Sequence, residues 1–244
     1  MKEPAAHAPA IPRSRPVRTL AIDIGGTGIK AMVVSPNGKP LTKRARVKTP
    51  RPATPAAVLK TIAEMANRQG QFDRVSVGFP GVVRRGVTAT APNLDGNWRG
   101  FKLTEMLARR LGRPVRVAND ADVQGFGAIE GRGVELVLTL GTGMGSALFV
   151  DGRLVPNLEM AHHPFQRGRT YEELLGDRAR KKVGGKKWNR RLLRAIRTLD
   201  HLFNYDRLYL GGGNAQKIGV KLPSNATIVE NVAGLLGGVA LWRD

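Results

Sequence analysis

One arrangement occurs twice in this chain of 244 residues and constrains its fold more than any other feature. Gly26-Thr27-Gly28 follows, after Gly25, on the apolar run Leu20-Ala21-Ile22-Asp23-Ile24, and Gly141-Thr142-Gly143 follows on Val137-Leu138-Thr139-Leu140. Each triplet leads into a second apolar run, residues 29–34 and 146–150, which ends in a hairpin dipeptide, Asn37-Gly38 or Asp151-Gly152. The triplets lie 115 residues apart and the dipeptides 114. A strand, a Gly-Thr-Gly turn, a strand and a tight turn at nearly constant offset reads as an internal duplication. Glycine lets a backbone approach a ligand closely. Threonine adds a hydroxyl donor, and successive N–H groups form a nest for anions. Two such turns facing each other would grip an anionic chain from both sides.

The rest of the pattern extends this reading. Residues 19–24, 30–34 and 41–48 read as three antiparallel strands joined by tight turns. Thr54-Pro55 is an N-cap and N1 pair, and Val58, Ile62 and Met65 mark one face of a helix ending near Gly70. Residues 75–79 form a buried strand. Leu103, Met106, Leu107 and Leu111 form a helical face closed by Gly112. Residues 115–118 are a fifth strand ending at Asn119-Asp120. The second half restarts with strands at 134–140, 146–150 and 153–155. A basic helical region follows from Tyr171 to about Leu202, then a strand at 207–210 feeding Gly211-Gly212-Gly213, a short strand at 227–229 and a Gly-interrupted helix over 232–242. Alternating strands and helices in both halves give the class α/β. The expected division is a disordered, basic, Pro-rich lead-in over 1–18, an N-terminal lobe over 19–120 and a C-terminal lobe over 121–244.

Charge is the unusual property. Forty Lys and Arg stand against 19 Asp and Glu, a net +21, which implies a polyanion among the chain's partners. The excess is uneven. Residues 165–197 hold twelve bases against Glu172, Glu173 and Asp177, and residues 39–51 hold six bases and no acid. Two readings stand for the first segment: a groove for a long anion, or a solvated basic surface. A hydrophobic fraction of 41% excludes global disorder. The absence of Cys excludes disulfides, a thiolate zinc site and a cysteine nucleophile. No run approaches about 18 apolar residues, and no secretory signal is present. These traits predict a cytoplasmic protein with no membrane partner. Only 5% aromatics and no stacking motif argue against a nucleic-acid partner. Neither glycine turn matches a Walker A loop or a dinucleotide fingerprint.

Several segments have a family likeness. The run from Asp23 through Ile24-Gly25-Gly26-Thr27-Gly28-Ile29 to Lys30 resembles the first phosphate motif of the ROK family of sugar kinases, and Leu140-Gly141-Thr142-Gly143-Met144-Gly145-Ser146 resembles the second. Gly78-Phe79-Pro80-Gly81, Pro92-Asn93-Leu94 with Trp98, and Asn119-Asp120-Ala121 resemble its sugar-side motifs. Glu159-Met160-Ala161-His162 resembles its E-x-G-H segment, with Ala161 in place of Gly, and Leu210-Gly211-Gly212-Gly213 its last glycine turn. These seven motifs stand in the family's order. The short chain and the missing Cys-rich zinc loop resemble the branch of polyphosphate glucokinases and polyphosphate/ATP-glucomannokinases.

The resemblance implies an actin-like ATPase fold of two ribonuclease-H-like lobes around a central cleft. It implies transfer of the terminal phosphoryl group of inorganic polyphosphate, with ATP as an additional donor, to the 6-hydroxyl of glucose. Asp120 would be the catalytic base, and Asn93, Asn119, Asp120, Glu159, His162 and Glu172 would hold the sugar. Gly25, Gly26, Thr27, Gly28, Gly141, Thr142, Gly143, Gly145, Gly211 and Gly212 would hold phosphate, Asp23 would face Mg²⁺, and the assembly would be a homodimer. The alternatives are an ATP-dependent ROK hexokinase for another hexose, or a non-catalytic sugar sensor. The sensor relatives carry a DNA-binding module ahead of the first motif, where this chain has about 18 Pro-rich residues. Read without the family, Asn119-Asp120 after a strand is also an ordinary helix cap. Glu159 and His162 share a face only if their stretch is helical. His163 competes with His162, and Glu173 with Glu172. Asp23 also reads as a buried cap of its glycine turn, and Lys30 as a strand-end charge.

Overall fold

The computed structural model describes residues 15–229 and 237–243. In the first half, β1 (Thr19–Ile24), β2 (Gly28–Val34) and β3 (Ala45–Lys48) form an antiparallel meander. Helix α1 (Pro55–Arg68) leads to β4 (Arg74–Phe79), which lies parallel to β1. A small hairpin, β5 (Val83–Arg84) and β6 (Val87–Thr88), precedes α2 (Leu103–Leu111) and β7 (Val115–Asn119), which lies parallel to β4. Helix α3 (Asp120–Phe126) follows without a loop. The second half builds β8 (Val134–Leu140), β9 (Met144–Val150) and β10 (Arg153–Val155), and a hairpin of β11 (Pro164–Gln166) and β12 (Arg169–Thr170). Helices α4 (Tyr171–Leu175) and α5 (Asp177–Phe203) then lead to β13 (Arg207–Gly211) and β14 (Ala226–Ile228).

The two sheets run β3-β2-β1-β4-β7 and β10-β9-β8-β13-β14. In both, two antiparallel pairings are followed by two parallel ones. The duplication read from the glycine turns is therefore a duplication of whole sheets, and the architecture is the actin-like ATPase fold.

Each sheet buries one face under its own helices. Leu20, Ile22, Val75, Val77 and Phe79 pack against Val58, Ile62 and Met65 of α1 and Leu103 and Leu107 of α2. Leu136, Leu138, Leu208 and Leu210 pack against Trp188, Leu192, Ile196 and Leu199 of α5. Each such side chain, fully buried, contributes about 1.5–3 kcal/mol. Helix α3 packs against both sheets, on β4 and β7 of the first and β8 and β9 of the second. Its N-terminus therefore stands where the two lobes meet.

Several expectations need adjusting. Only Ala45–Lys48 of the expected strand 41–48 forms, because the Thr42 hydroxyl takes the Val33 N–H at 2.9 Å, where a ladder carbonyl would sit. The basic helical region is two helices broken at Gly176, and α5 is kinked at Gly184, whose φ of 75° is open to glycine. Part of the terminal helix expected over 232–242 falls outside the described residues; Gly237–Trp242 is a 3-10 helix. It packs on β1, β4 and β7, with Val239 against Ala21, Met32 and Val34, so the end of the chain returns to the first sheet. Most of the lead-in over 1–18 also lies outside the described residues. At its end, Arg15 and Arg18 hold Gln71 and Asp73.

Candidate active site

Strands β1, β4, β7, β8 and β13 all deliver their carboxyl ends to one cleft, where open α/β sheets bind ligands. Its volume is about 640 Å³. Ile24 hands over to the first glycine turn, Phe79 to Pro80-Gly81, β7 to Asn119-Asp120, Leu140 to the second glycine turn and Gly211 to Gly212-Gly213.

Both glycine turns line the cleft, and each closes on itself. The Gly25 N–H donates to the Gly28 carbonyl and the Gly141 N–H to the Gly143 carbonyl, each at 3.0 Å. Among the described residues, the N–H groups of Gly26, Thr27, Thr142 and Gly143 have no protein acceptor. They form two nests of unpaired donors, one from each sheet, that line one cavity.

Asp120 is the first residue of α3 and Asn119 its N-cap. The Asn119 side chain accepts the Ala121 N–H at 2.8 Å, and its amide donates to the Gly81 carbonyl at 3.2 Å. Asn119 is thus a cap and a cleft residue at once. The absence of a side chain at Gly78 makes room for Asp120, whose Cα lies 3.4 Å from where a Gly78 Cβ would be. Burial pushes the Asp120 carboxyl up to about 7, and the Asp23 and Glu159 carboxylates add to the rise, against the Ala121 N–H that favours the anion. A carboxyl poised there can exchange a proton near neutral pH.

Around Asp120 the cleft gathers Asp23, Gly25, Gly26, Thr27, Asn93, Asn119, Gly141, Thr142, Gly143, Gly145, Glu159, His162, Glu172 and Gly212. Met160–His162 form a 3-10 helix with Glu159 at its N-cap, so the Glu and His share a face, with His162 Nε2 3.4 Å from Glu159 Oε2. His163 turns away to pack beside Tyr171, with ring centroids 6.3 Å apart. Glu172 lines the cleft and accepts the Met144 N–H at 3.4 Å, whereas Glu173 closes a capping box with Thr170. Asn93 packs against Gly26, its Cβ 3.2 Å from where a Gly26 Cβ would be.

Two expected phosphate residues do not line the cleft. Gly28 begins β2 and Gly211 ends β13, both inside hydrogen-bonded sheets; Gly213 lines the cavity instead. The charge also lies elsewhere than expected. None of the twelve bases over 165–197 lines the cleft; ten lie along α5, and Arg167 and Arg169 lie on the hairpin of β11 and β12. The cleft bases are Lys30, Arg44, Arg46 and Arg51. The last three belong to the second basic run, where the alternation of Arg44, Arg46 and Lys48 is the strand-like signal that could have placed them.

The ROK family model matches residues 19–161, more than half of the chain. The chain belongs to the ROK family. It is 36% identical over 233 residues to polyphosphate glucokinase of Mycobacterium tuberculosis, covering 88% of each chain. Among solved structures it resembles the inorganic polyphosphate/ATP-glucomannokinase of Arthrobacter sp. strain KM, with a TM-score of 0.84 and 34% identity over 92% of this chain and 97% of that one. A ROK family glucokinase of Streptomyces griseus, solved with glucose and AMPPNP, shares the fold at 22% identity and a TM-score of 0.77, covering 92% of this chain and 98% of that one. Among the described residues no helix is long and apolar enough to cross a membrane.

Proposed function

We propose that this ROK-family protein is a sugar kinase that moves the terminal phosphoryl group of inorganic polyphosphate, with ATP as an additional donor, to the 6-hydroxyl of glucose. The observation that carries the reading is one cleft holding Asp120, poised near neutrality, between two nests of unpaired N–H groups. The named relatives support glucose as acceptor and polyphosphate as donor.

Phosphoryl transfer asks a protein for positioning and charge stabilisation. The nests take phosphate oxygens from both walls. Asn93, Asn119, Glu159, His162 and Glu172 offer the paired donors and acceptors that sugar hydroxyls require. Asp120 accepts the proton of the attacking hydroxyl, a role worth about 10²–10⁴-fold in rate. It stands at the junction of the lobes, the place where a sugar held on one side meets a phosphate chain held between the turns.

Magnesium fits the donor set. Among the described residues no three His, Cys, Asp or Glu cluster as an all-protein cage. Asp23 offers a single carboxylate beside the first phosphate turn, and one carboxylate plus substrate phosphates and water is the usual set for Mg²⁺. Lys30 holds Asp23 in place, with Nζ 2.7 Å from Oδ2. When bound, the ion would neutralise charge on the donor oxygens.

A coupled assay for glucose 6-phosphate, run with polyphosphate or ATP as donor and a panel of hexoses as acceptors, tests the reading. Product from polyphosphate and glucose supports it. Product from ATP alone overturns the donor, product from another hexose alone overturns the acceptor, and no product with any pair overturns the activity.

A further inference from the structure

The first glycine turn is wrapped by the chain that follows β2. The Thr49 N–H donates to the Thr27 carbonyl at 3.4 Å, and the Thr49 hydroxyl to the Gly25 carbonyl at 2.5 Å. Arg51 donates from Nη2 to the Gly26 carbonyl at 2.8 Å and from Nη1 to Asp95 at 3.0 Å. Arg46 packs against Gly28, where the turn enters β2: a Cβ at Gly28 would stand 3.1 Å from its Nε and 3.6 Å from its Nη2. The missing side chain at Gly28 thus seats a guanidinium.

The sheet register arranges these groups in a row. Gly78 opposes Asp23, Asp23 opposes Lys30, and Lys30 opposes Arg46. Directly opposed residues share a face of the sheet. Asp120 sits over Gly78, so the row runs from Asp120 past Asp23 and Lys30 to Arg46 on β3, the edge strand. At about 4.8 Å between strands, Arg46 stands roughly 10 Å along the row from Asp23. Arg44, two residues before Arg46, lines the same cleft. Lys30 and Arg51 each hold a carboxylate, Asp23 and Asp95. Arg44 and Arg46 are exposed and make no ion pair among the described residues.

We propose that Arg44 and Arg46, continued inward by Lys30, form the track for the donor phosphates upstream of the one transferred, and that a linear polyphosphate chain leaves the cleft along this track over the edge of the first sheet. The inference rests on the polyphosphate reading above and names the surface that would carry it. Guanidinium groups match phosphate oxygens with paired hydrogen bonds, and among the described residues these two have no ion-paired carboxylate to give up. Among the described residues no strand pairs with the outer side of β3, so the outer end of the row is open to a polymer longer than three phosphates. The basic face of α5 lies outside the cleft, and two of its bases, Arg180 and Lys181, are already paired with Asp177.

The test compares the unaltered protein with the double variant Arg44→Gln/Arg46→Gln and with a quadruple variant of α5, Lys181→Ser/Lys182→Ser/Lys186→Ser/Lys187→Ser. Each is assayed with long-chain polyphosphate and with ATP across a range of salt. The double variant is expected to raise the polyphosphate KM at least about tenfold and to lower its log–log salt slope by up to about 0.7 per lost contact. Its glucose KM and Tm should stay as in the unaltered protein, and the quadruple variant should change the polyphosphate KM less than about twofold. An unchanged KM and slope in the double variant, beside an unaltered protein that uses polyphosphate, overturns the track alone. An equal loss in the quadruple variant overturns its exclusivity and returns the polymer to α5. Equal effects on ATP and polyphosphate, with equal slopes, overturn the polymer assignment. An unaltered protein that neither binds nor consumes polyphosphate overturns the donor reading and the track with it.

Discussion

Two glycines of the second turn region make a paired prediction, because the space around them differs. A Cβ at Gly145 would stand 2.5 Å from Thr139 Oγ1 and 2.9 Å from Ala121 Cβ, whereas a Cβ at Gly141 would meet nothing within 4 Å. Thr139 lies within β8 and Ala121 within α3, so Gly145→Ala forces a strand and a helix apart. Overpacking of this kind costs about 1–3 kcal/mol, which for a chain of this size lowers Tm by roughly 2–12 °C. Ala121 is bonded to Asp120, so the strain is passed to the carboxylate. A misplacement of 1 Å costs about 10²-fold in rate, so a shift of half that costs roughly tenfold in kcat. Gly141→Ala should leave Tm within about 1 °C, since it adds a methyl group to open space. If donor phosphate packs against this backbone, the same methyl group raises the donor KM and leaves the glucose KM unchanged. Differential scanning fluorimetry and steady-state kinetics on both variants give the answer. Unchanged Tm and kcat in Gly145→Ala, or equal destabilisation in Gly141→Ala, would refute the argument that one glycine serves packing and the other ligand approach.

Other consequences follow from neighbouring residues. Glu159→Gln and His162→Ala should each raise the sugar KM by about 5–150-fold, the equivalent of about 1–3 kcal/mol for an unpaired polar group, while sparing the donor KM; a change in donor KM alone would contradict their placement. Asp122 is buried, its Oδ1 has no hydrogen-bond partner among the described residues, and burial, together with the Asp120 and Glu159 carboxylates, raises its pKa to about 7 despite the Asn157 N–H. The folded chain therefore holds a proton there that the unfolded chain releases above about pH 4, so this residue's contribution to stability falls as pH rises from about 4 to 7 and is flat above. Asp122→Asn should be more stable than the unaltered protein at pH 8 by about 1–4 kcal/mol, a difference that closes toward pH 4; a difference independent of pH, measured by urea unfolding, would contradict the charge argument.

Much of this was legible in residue order, for identifiable reasons. Leu20, Ile22 and Ile24 alternate toward the core, and the turns at Asn37-Gly38 and Asp151-Gly152 fix each hairpin, so both meanders could be read without coordinates. The duplicated turns implied duplicated sheets because the strands before them carry the same pattern. Helix α3 was missed: it is short, contains Gly125 and starts on the residue that follows the last one of the preceding strand, with no loop to announce it. The choice between Glu172 and Glu173 could have been made, since Thr170-x-x-Glu173 is a capping-box spacing that commits Glu173 to the helix end. The basic groups of the cleft were misplaced because net charge counts residues and ignores direction. Ten bases along α5 and two on the neighbouring hairpin, all outside the cleft, outweighed three arginines whose strand and flanking loop line it. The return of residues 237–242 to the first sheet depends on contacts between distant parts of the chain, such as Trp242 Nε1 donating to Ser76 Oγ at 2.8 Å, and no local pattern carries that information.

The central claim is that Asp120 takes a proton from a sugar hydroxyl in a cleft built for phosphate transfer. Asp120→Asn keeps the shape and the helix-cap geometry but removes the base, so turnover and glucose affinity can be measured side by side on one protein. The account predicts that phosphorylation of glucose falls by about 10²–10⁴-fold while glucose binding, read by calorimetry, stays within a few-fold of the unaltered protein. Retention of more than about a tenth of the original rate, or a loss of glucose binding as large as the loss of turnover, would contradict it.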